Sequence, residues 1–217
     1  MSRLTGWRRV ASAMWSAPND PQIFGSLEVD ATHALAFLEA ARAAGHRLTP
    51  THLVGRAVAC VLEQVPELNV RIVGTRAVPR ESVDVFFITA VESGKDLSGV
   101  KVEGADRRPA VAVAAELAER AAALRKGKDR EFARSKRLMD RLPGPILWAG
   151  LRASALLTEQ LQLEIPALAL HKSPFGSAMV TSVGMFGLPH GFAPLSWLYD
   201  VPLIVLVGEI VERAVVV

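Results

Sequence analysis

Three short apolar runs constrain the fold of this 217-residue chain most strongly. They are Val83–Val91, Ala178–Val183 and Leu203–Val207, and valine is the residue that recurs in all three. Runs this short predict buried β-strands, because a membrane-spanning helix needs about 18 or more consecutive apolar residues. The glycine-rich turn Gly184–Gly187 is expected to join the last two runs. The three runs therefore predict a buried sheet near the centre of the fold.

Helical patterns lie between these runs, so the chain is expected to be mixed α and β, with long helices between strands. Helices are predicted at Thr5–Ala17, from Thr32 to about Ala44, from Pro50 until just before Pro66, and at Ala110–Arg125. The helix that begins at Pro50 is apolar nearly all round and is expected to be buried. Alternating residues predict a further strand at Ile23–Asp30, and a short hairpin is predicted from Val70–Val73 and Ala77–Val78 around Gly74.

Composition excludes several classes of protein. Half of the residues are hydrophobic and 22% are charged, which excludes a disordered chain, a collagen-like repeat and a disulfide scaffold. Cys60 is the only cysteine, which is typical of a reducing compartment. The net charge of +3 is too small to indicate nucleic-acid binding. We find no signal-peptide pattern at the N-terminus and expect a cytoplasmic protein.

The motifs of metal and nucleophile enzymes are absent from the sequence. The five histidines show no metal-ligand spacing, and no metal site is expected. His190 lies in a turn and is either a catalytic base or a surface-loop histidine. Thr181 and Ser182 end an apolar run. A hydroxyl there either donates to a developing oxyanion, worth roughly 3 kcal/mol, or satisfies backbone groups at the strand end.

The C-terminal part of the sequence carries a distinctive block. Ser177–Gly187, followed by Phe192–Leu195 and Val201–Gly208, resembles the catalytic domain of the dihydrolipoyl acyltransferases of 2-oxo acid dehydrogenase complexes. That family has a "TISNLGMFG"-like strand and turn, then "FxPI", then a proline and an apolar strand ending in glycine. Further segments resemble the family in the same order: Arg8–Ser16, Leu27–Thr32, Leu48–Asn69 and Val83–Val91.

The resemblance implies a chloramphenicol acetyltransferase-like α/β (α+β) fold, in which helices flank a mixed sheet. It further implies assembly into a homotrimer or larger homo-oligomer, and acyl transfer between coenzyme A and a dihydrolipoyl-like thiol. The family's serine or threonine that stabilises the oxyanion maps onto Thr181. Asn69 lies in the family's "PxLN" motif, where it is expected to shape the site or its supporting turn. A lipoyl-bearing partner is also expected.

The sequence departs from the family in two ways that bear on catalysis. The family's general-base histidine lies in a His-x-x-x-Asp-Gly motif, which these 217 residues lack, so identical copies could not supply it to each other. We also expect no lipoyl domain before the acyltransferase-like part. We therefore expect an acyl-coenzyme A-dependent acyltransferase seen without its last segment, or alternatively a non-catalytic trimer or cage scaffold related to these complex cores.

A third departure is residues 126–174, interpreted as a helical insertion within a single domain spanning 1–217. Residues 125–141 hold eight basic and three acidic side chains, a local charge of +5, and Pro143–Leu170 is leucine-rich and apolar. The insertion is either a surface hairpin with solvated charges or a basic amphipathic element. In the second case it would meet a membrane surface through 125–170, an acyl chain, or coenzyme A phosphates.

Overall fold

The structure is a computed structural model that describes residues 22–73, 76–91, 96–125, 144–166, 170–193 and 199–214. The helix predicted at Thr5–Ala17 lies outside these residues, as does most of the basic run. Four α-helices are described: α1 (Thr32–Ala43), α2 (Pro50–Gln64), α3 (Ala110–Arg125) and α4 (Gly144–Ala155). Six strands are described: β1 (Val70–Val73), β2 (Arg76–Pro79), β3 (Val85–Val91), β4 (Asp96–Val102), β5 (Ala178–Ser182) and β6 (Ile204–Val207).

The main sheet is mixed, in the order β4-β3-β5-β6. β3 pairs antiparallel with β4 and parallel with β5, and β5 pairs parallel with β6. β1 and β2 form a separate antiparallel hairpin, as predicted around Gly74. The three apolar runs are thus confirmed as neighbouring strands. Because β5 and β6 are parallel, the turn Gly184–Gly187 cannot join them directly, and the connection runs from Val183 to Leu203.

One face of the sheet packs against α2 and α3 and forms the main core. Alternate residues of the strands point to this face, as the two-residue period of a strand requires. The buried side chains are Ala59 and Leu62 of α2, Val113 and Leu117 of α3, Val85 and Phe87 of β3, Val100 and Val102 of β4, and Ala178 and Val180 of β5. A smaller cluster of Leu38, Leu48 and Ala114 holds α1 against α3. The predicted fold class is therefore confirmed.

Two expectations from the sequence were wrong in part. α2 is buried on one side only, where Gly55, Ala59 and Leu62 face the core, while Val61 is about half exposed. Residues 23–30 form no strand, and Ile23 is 99% exposed. A strand needs hydrogen-bonding partners as well as an alternating pattern, and no described segment pairs with residues 23–30.

The helix starts follow capping chemistry. The Thr32 backbone N–H donates to Asp30 Oδ1 at 2.8 Å, and the Thr32 hydroxyl donates to the same oxygen at 2.6 Å. At α2, the Thr49 N–H donates to His52 Nδ1 at 3.1 Å, and Pro50 occupies the first turn. These contacts place α1 and α2 where their patterns predicted them.

Residues 144–166 and 170–174 belong to the predicted insertion, and its interpretation as an insertion stays a prediction. α4 runs directly into a π-helical turn, Leu156–Gln160, which packs against the β1–β2 hairpin. Arg71 of β1 donates to the Glu159 carbonyl at 2.8 Å, and the Gln160 side-chain amide donates to the Ile72 carbonyl at 2.7 Å. The described part of this segment is therefore attached to the fold through β1.

Candidate functional site

Thr181 lies at the carboxyl end of β5, opposite Leu206 of β6. Val180 and Ala178 face the core, so Thr181 and Met179 point to the other face of the sheet. The Thr181 side chain is half-buried, and its hydroxyl makes no hydrogen bond to any described residue. Among the described residues, none therefore competes with a bound group for this hydroxyl, which is what an oxyanion-stabilising residue requires.

Ser182, the other candidate hydroxyl, has the opposite orientation. It lies opposite Val207, whose side chain packs against the main core. By the alternation of the strand, Ser182 shares the face of Val180 and turns away from the face that Thr181 occupies. The two neighbouring hydroxyls therefore cannot act on the same bound group from the strand.

A tight turn fixes the end of β5 against the end of β6. Val183 donates to the Val207 carbonyl at 3.0 Å, and residues Gly184–Phe186 form a single 3-10 turn. A Cβ on Gly184 would lie 2.9 Å from the Gly208 carbonyl oxygen, and a Cβ on Gly208 would clash with the Pro189 carbonyl. Glycines are needed here because backbone packs on backbone, which holds Thr181 in a rigid frame.

The surface around this turn is apolar and exposed. Phe24 packs edge-on against Phe192 with 5.2 Å between ring centroids, and Arg213 pairs with Glu28 at 2.7 Å. These contacts join residues 24 and 28 to the segments that follow β5 and β6. Exposed apolar side chains are frequent in these three segments, here called the apolar end: Ile23, Phe24, Leu27, Val29, Met185, Phe186, Leu188, Phe192, Ile210 and Val211. An exposed apolar area of this kind is typical of an interaction site.

His190 and His52 each use one ring nitrogen in a hydrogen bond. His190 is exposed, and its Nε2 accepts a hydrogen bond from Arg213 at 2.6 Å. His52 packs against the edge of Phe87, with ring centroids 6.4 Å apart, and burial lowers its pKa. Its Nδ1 is used to hold the start of α2.

Asn69 supports a turn beneath the hairpin. Its side-chain amide donates to the Ser82 backbone carbonyl at 3.1 Å. Its backbone carbonyl accepts from the Arg80 backbone N–H at 2.9 Å. The side chain is buried, and its Oδ1 has no partner among the described residues. These contacts tie the segment after α2 to the segment before β3.

Sequence reasoning missed a buried charged cluster at the amino ends of β3 and β5. The Arg80 and Glu159 side chains are 5% and 1% exposed, and they form an ion pair at 3.6 Å. The Ser173 hydroxyl donates to Glu159 at 3.1 Å and accepts from Arg80 at 2.9 Å. Arg80 also donates to the Asp200 carbonyl at 2.9 Å. We call these four residues the Arg80–Glu159 cluster.

Burial dominates the electrostatics of this cluster. It raises the pKa of the Glu159 carboxyl and lowers the pKa of the Arg80 guanidinium, while the attraction between the two opposes both effects. Burial likewise raises the pKa of Asp200, against the hydrogen bond that its carboxylate accepts from Gln160. Burying two charges is costly unless each finds partners, and here the partners come from four separate chain segments.

Backbone strain is concentrated in the same place. Among the described residues, the non-glycine residues with positive φ are Gln162, Ser173 and Asp200, with φ of 51°, 41° and 50°. The first lies just after the π-helical turn, and the other two belong to the cluster. Such outliers persist only where the surroundings impose them, and they are frequent at functional sites. Since the four segments are far apart in sequence, nothing in the pattern could have revealed this cluster.

A polar cavity of about 660 Å³ opens beside the cluster. The residues that line it include Arg80, Gln162 and Ser173, together with Asp84 and Lys101. Because Gly176 and Ser177 precede β5, the cavity lies at the amino end of the strand, and Thr181 does not line it. The cavity and Thr181 are therefore separate features of the sheet.

Among the described residues, no group of three histidine, cysteine, aspartate or glutamate side chains is arranged to hold a metal ion. The helices of the described part are also too short or too polar to cross a lipid bilayer.

Comparison with solved structures supports the fold. A probable dihydrolipoamide acetyltransferase from Listeria monocytogenes has 22% sequence identity and a TM-score of 0.59, with 88% of this chain and 65% of that chain covered. A truncated catalytic core of the 2-oxoacid dehydrogenase multienzyme complex from Thermoplasma acidophilum has 20% identity and a TM-score of 0.59, covering 98% and 81%. The cubic core of a pyruvate dehydrogenase multienzyme complex has 20% identity and a TM-score of 0.60, covering 91% and 66%.

This chain thus spans less than two thirds of the length of the first of these structures. No curated protein matches its sequence significantly. A match to a protein family is nevertheless clear, because residues 2–132 match the family described as 2-oxoacid dehydrogenases acyltransferase (catalytic domain). That match covers more than half of the chain. The chain therefore belongs to the acyltransferase catalytic-domain family of the 2-oxoacid dehydrogenases.

Proposed function

We propose that this protein transfers an acyl group between coenzyme A and a dihydrolipoyl-like thiol, with Thr181 as the donor to the oxyanion. The observation that carries the proposal is the Thr181 hydroxyl, which has no hydrogen-bond partner among the described residues and lies in a frame held by the glycine turn. Membership of the acyltransferase family supports the reaction class.

In the proposed reaction, the acceptor thiolate attacks the thioester carbonyl carbon, and a carbon–sulfur bond forms. The carbonyl oxygen takes the electron pair and accepts a hydrogen bond from Thr181. Collapse of this intermediate breaks the bond to the coenzyme A sulfur, which then takes a proton from solvent. A free thiol with a pKa near 8.5 is a few per cent thiolate at pH 7. The rate should therefore rise with pH until the acceptor thiol is ionised.

The apolar end supports the assembly part of the proposal. Its exposed side chains include Met185 and Phe186 of the turn after Thr181, and a second copy that covered them would bury this apolar area. We place this homo-oligomer, trimeric or larger, in the cytoplasm with a separate lipoyl-bearing partner. Two of the solved structures that this chain is similar to are cores of multienzyme complexes, and this similarity favours an oligomer.

The test is acetyl transfer from acetyl-coenzyme A to dihydrolipoamide by the full chain and three variants. Thr181→Val keeps the volume and removes the hydroxyl, so turnover should fall by about 10²–10³-fold. Thr181→Ser should keep most of the activity. Ser182→Ala is the matched control, and its turnover should be unchanged because Ser182 faces the core.

Equal turnover in Thr181→Val and the parent protein would refute the role of Thr181. Complete absence of transfer in the parent protein, with oligomers intact, would instead favour the scaffold alternative.

A further inference from the structure

The polar cavity beside the Arg80–Glu159 cluster is built from strained backbone. Gln162 and Ser173, two of the three described non-glycine residues with positive φ, both line it. Gly176, with φ of +66°, lines it as well. Such conformations persist only where the surrounding structure imposes them, and they are frequent at ligand sites. The volume of about 660 Å³ is also that of a small-molecule site.

One wall of the cavity is fixed before any ligand arrives. The Arg80 side chain lines the cavity and is 5% exposed. Its guanidinium is held by the Ser173 hydroxyl at 2.9 Å and by the Asp200 carbonyl at 2.9 Å. A ligand that binds against a wall already ordered pays little for ordering side chains. The cavity is therefore preorganised on this side.

Most carboxylates that line the cavity already face a basic group. Lys101 Nζ lies 3.2 Å from Glu103 and 3.9 Å from Asp84. Glu164 lies 3.5 Å from His171 Nδ1. These carboxylates are therefore poor candidates for holding a cationic ligand.

Two cations that line the cavity lack such a partner. Arg71 donates to the backbone carbonyl of Glu159 and forms no ion pair with a described carboxylate. The Lys172 ammonium is exposed and likewise has no hydrogen bond or ion pair with a described residue. Glu81 is the remaining lining carboxylate, and it is exposed to water. Two unpaired cations against one carboxylate favour an anionic ligand.

The cavity also has an apolar part. Phe86 of β3 lines it, together with Val78 and Pro174. The Phe86 ring packs edge-on against Phe175, with 4.9 Å between ring centroids, so its position is fixed. A flat apolar surface in the same cavity as unpaired cations suits a ligand that combines an anionic group with an apolar or aromatic body.

We propose that this cavity binds a small organic anion. Its phosphate or carboxylate group is held by Arg71 and Lys172, and its apolar part lies against Phe86. The occupant is separate from the substrates of the proposed acyl transfer, because the cavity lies at the amino end of β5 and Thr181 does not line it. This role therefore does not depend on the proposed reaction.

The test is calorimetric titration of the full chain, free of coenzyme A, with phenyl phosphate. Saturable binding that weakens in salt is expected, because both contacts are charged. Benzylamine carries the same ring on a cation and should not bind. Inorganic phosphate should bind more weakly than phenyl phosphate, because it lacks the ring that contacts Phe86. Arg71→Gln combined with Lys172→Gln should weaken binding of phenyl phosphate about 10–100-fold, through loss of charge-assisted hydrogen bonds.

The matched control is Arg76→Gln, which removes one positive charge from the same hairpin at an exposed position that does not line the cavity. It should bind phenyl phosphate as the parent does, and circular dichroism should show that every variant is folded. Lys172→Gln alone serves if the double variant does not fold, since Lys172 is exposed.

Four results would overturn the proposal. Absence of saturable binding of phenyl phosphate would remove the site, and equal binding of benzylamine would remove its preference for anions. Equal weakening by Arg76→Gln would show that the net charge of the protein attracts the anion without a site. Displacement of phenyl phosphate by coenzyme A would show that the cavity belongs to a substrate of the proposed acyl transfer.

Discussion

At the amino ends of β3 and β5, charged side chains are buried and partnered. At the carboxyl end of β5, by contrast, apolar side chains are exposed and the Thr181 hydroxyl has no partner among the described residues. Arg80 and Glu159 obtain their partners from segments far apart in sequence, so their burial depends on the whole fold. Thr181 is held by its own strand, the turn after it and the end of β6. Stability and proposed chemistry are therefore placed at opposite ends of the same strands.

The largest effect is expected from Arg80→Met. This change removes the guanidinium, and it leaves the buried Glu159 carboxyl without the cation that it pairs with. The free energy of unfolding should fall by about 3–5 kcal/mol, as when one partner of a buried pair is removed. Denaturant unfolding followed by circular dichroism measures it.

The control for this variant replaces both charges, as Arg80→Met with Glu159→Leu. Apolar side chains of similar volume remove the desolvation cost together with the attraction, so the double variant should be close to the parent in stability. If the single variant were as stable as the parent, the contrast between the two ends would be wrong.

Gly176 gives the next largest effect at the amino end. Its φ is +66°, and a Cβ would lie 2.6 Å from the Asp84 carbonyl oxygen. Gly176→Ala should therefore cost about 3 kcal/mol, from backbone strain and overpacking together.

Gly45→Ala separates these two causes. Gly45 has φ of +85° but open space around the position of a Cβ. Its substitution should cost only about 1 kcal/mol of unfolding free energy, from backbone strain alone. If the two glycine variants lost the same free energy of unfolding, the packing around Asp84 would not be tight.

The pH dependence of stability provides a smaller effect. The folded pKa of Glu159 is raised above its ordinary value of 4.5. At a pH between 4.5 and the higher folded pKa, the folded chain holds a proton on Glu159 that the unfolded chain has released. Rising pH in this range therefore lowers the free energy of unfolding, by at most about 1.4 kcal/mol per pH unit. In the double variant of Arg80 and Glu159, the free energy of unfolding should not fall with pH in this way. Urea unfolding at several pH values above 4.5 measures this. If the double variant kept the same pH dependence, other titratable groups would be its cause.

The smallest effect on stability is expected from Thr181→Val. The Thr181 hydroxyl has no hydrogen bond to lose within the described residues, and valine has almost the same volume. The free energy of unfolding should change by less than about 0.5 kcal/mol, measured in urea. A large loss would mean that Thr181 supports the fold and would weaken its assignment to chemistry.

Local sequence patterns predicted helices and strands well wherever the segments around them are also helices, strands or turns. Ala110–Arg125 is a helix with the predicted bounds, and Gly45 ends the region of α1 as expected. The apolar run before a glycine turn placed Thr181 and Ser182 at a strand end, and the resemblance to the acyltransferases selected Thr181 as the candidate. The alternating residues 23–30 failed as a strand because alternation shows which faces differ but not which segment pairs with it.

The sequence by itself determined α1 to α3, the strands β3, β5 and β6 and the position of Thr181 at a strand end, because these depend on contacts a few residues apart, whereas β4 was not predicted. Only the tertiary structure decided the Arg80–Glu159 cluster, since Arg80, Glu159, Ser173 and Asp200 meet from segments up to 120 residues apart. Because burying charge without partners is costly, these four residues must contact one another in the folded chain. No local sequence pattern encodes that arrangement.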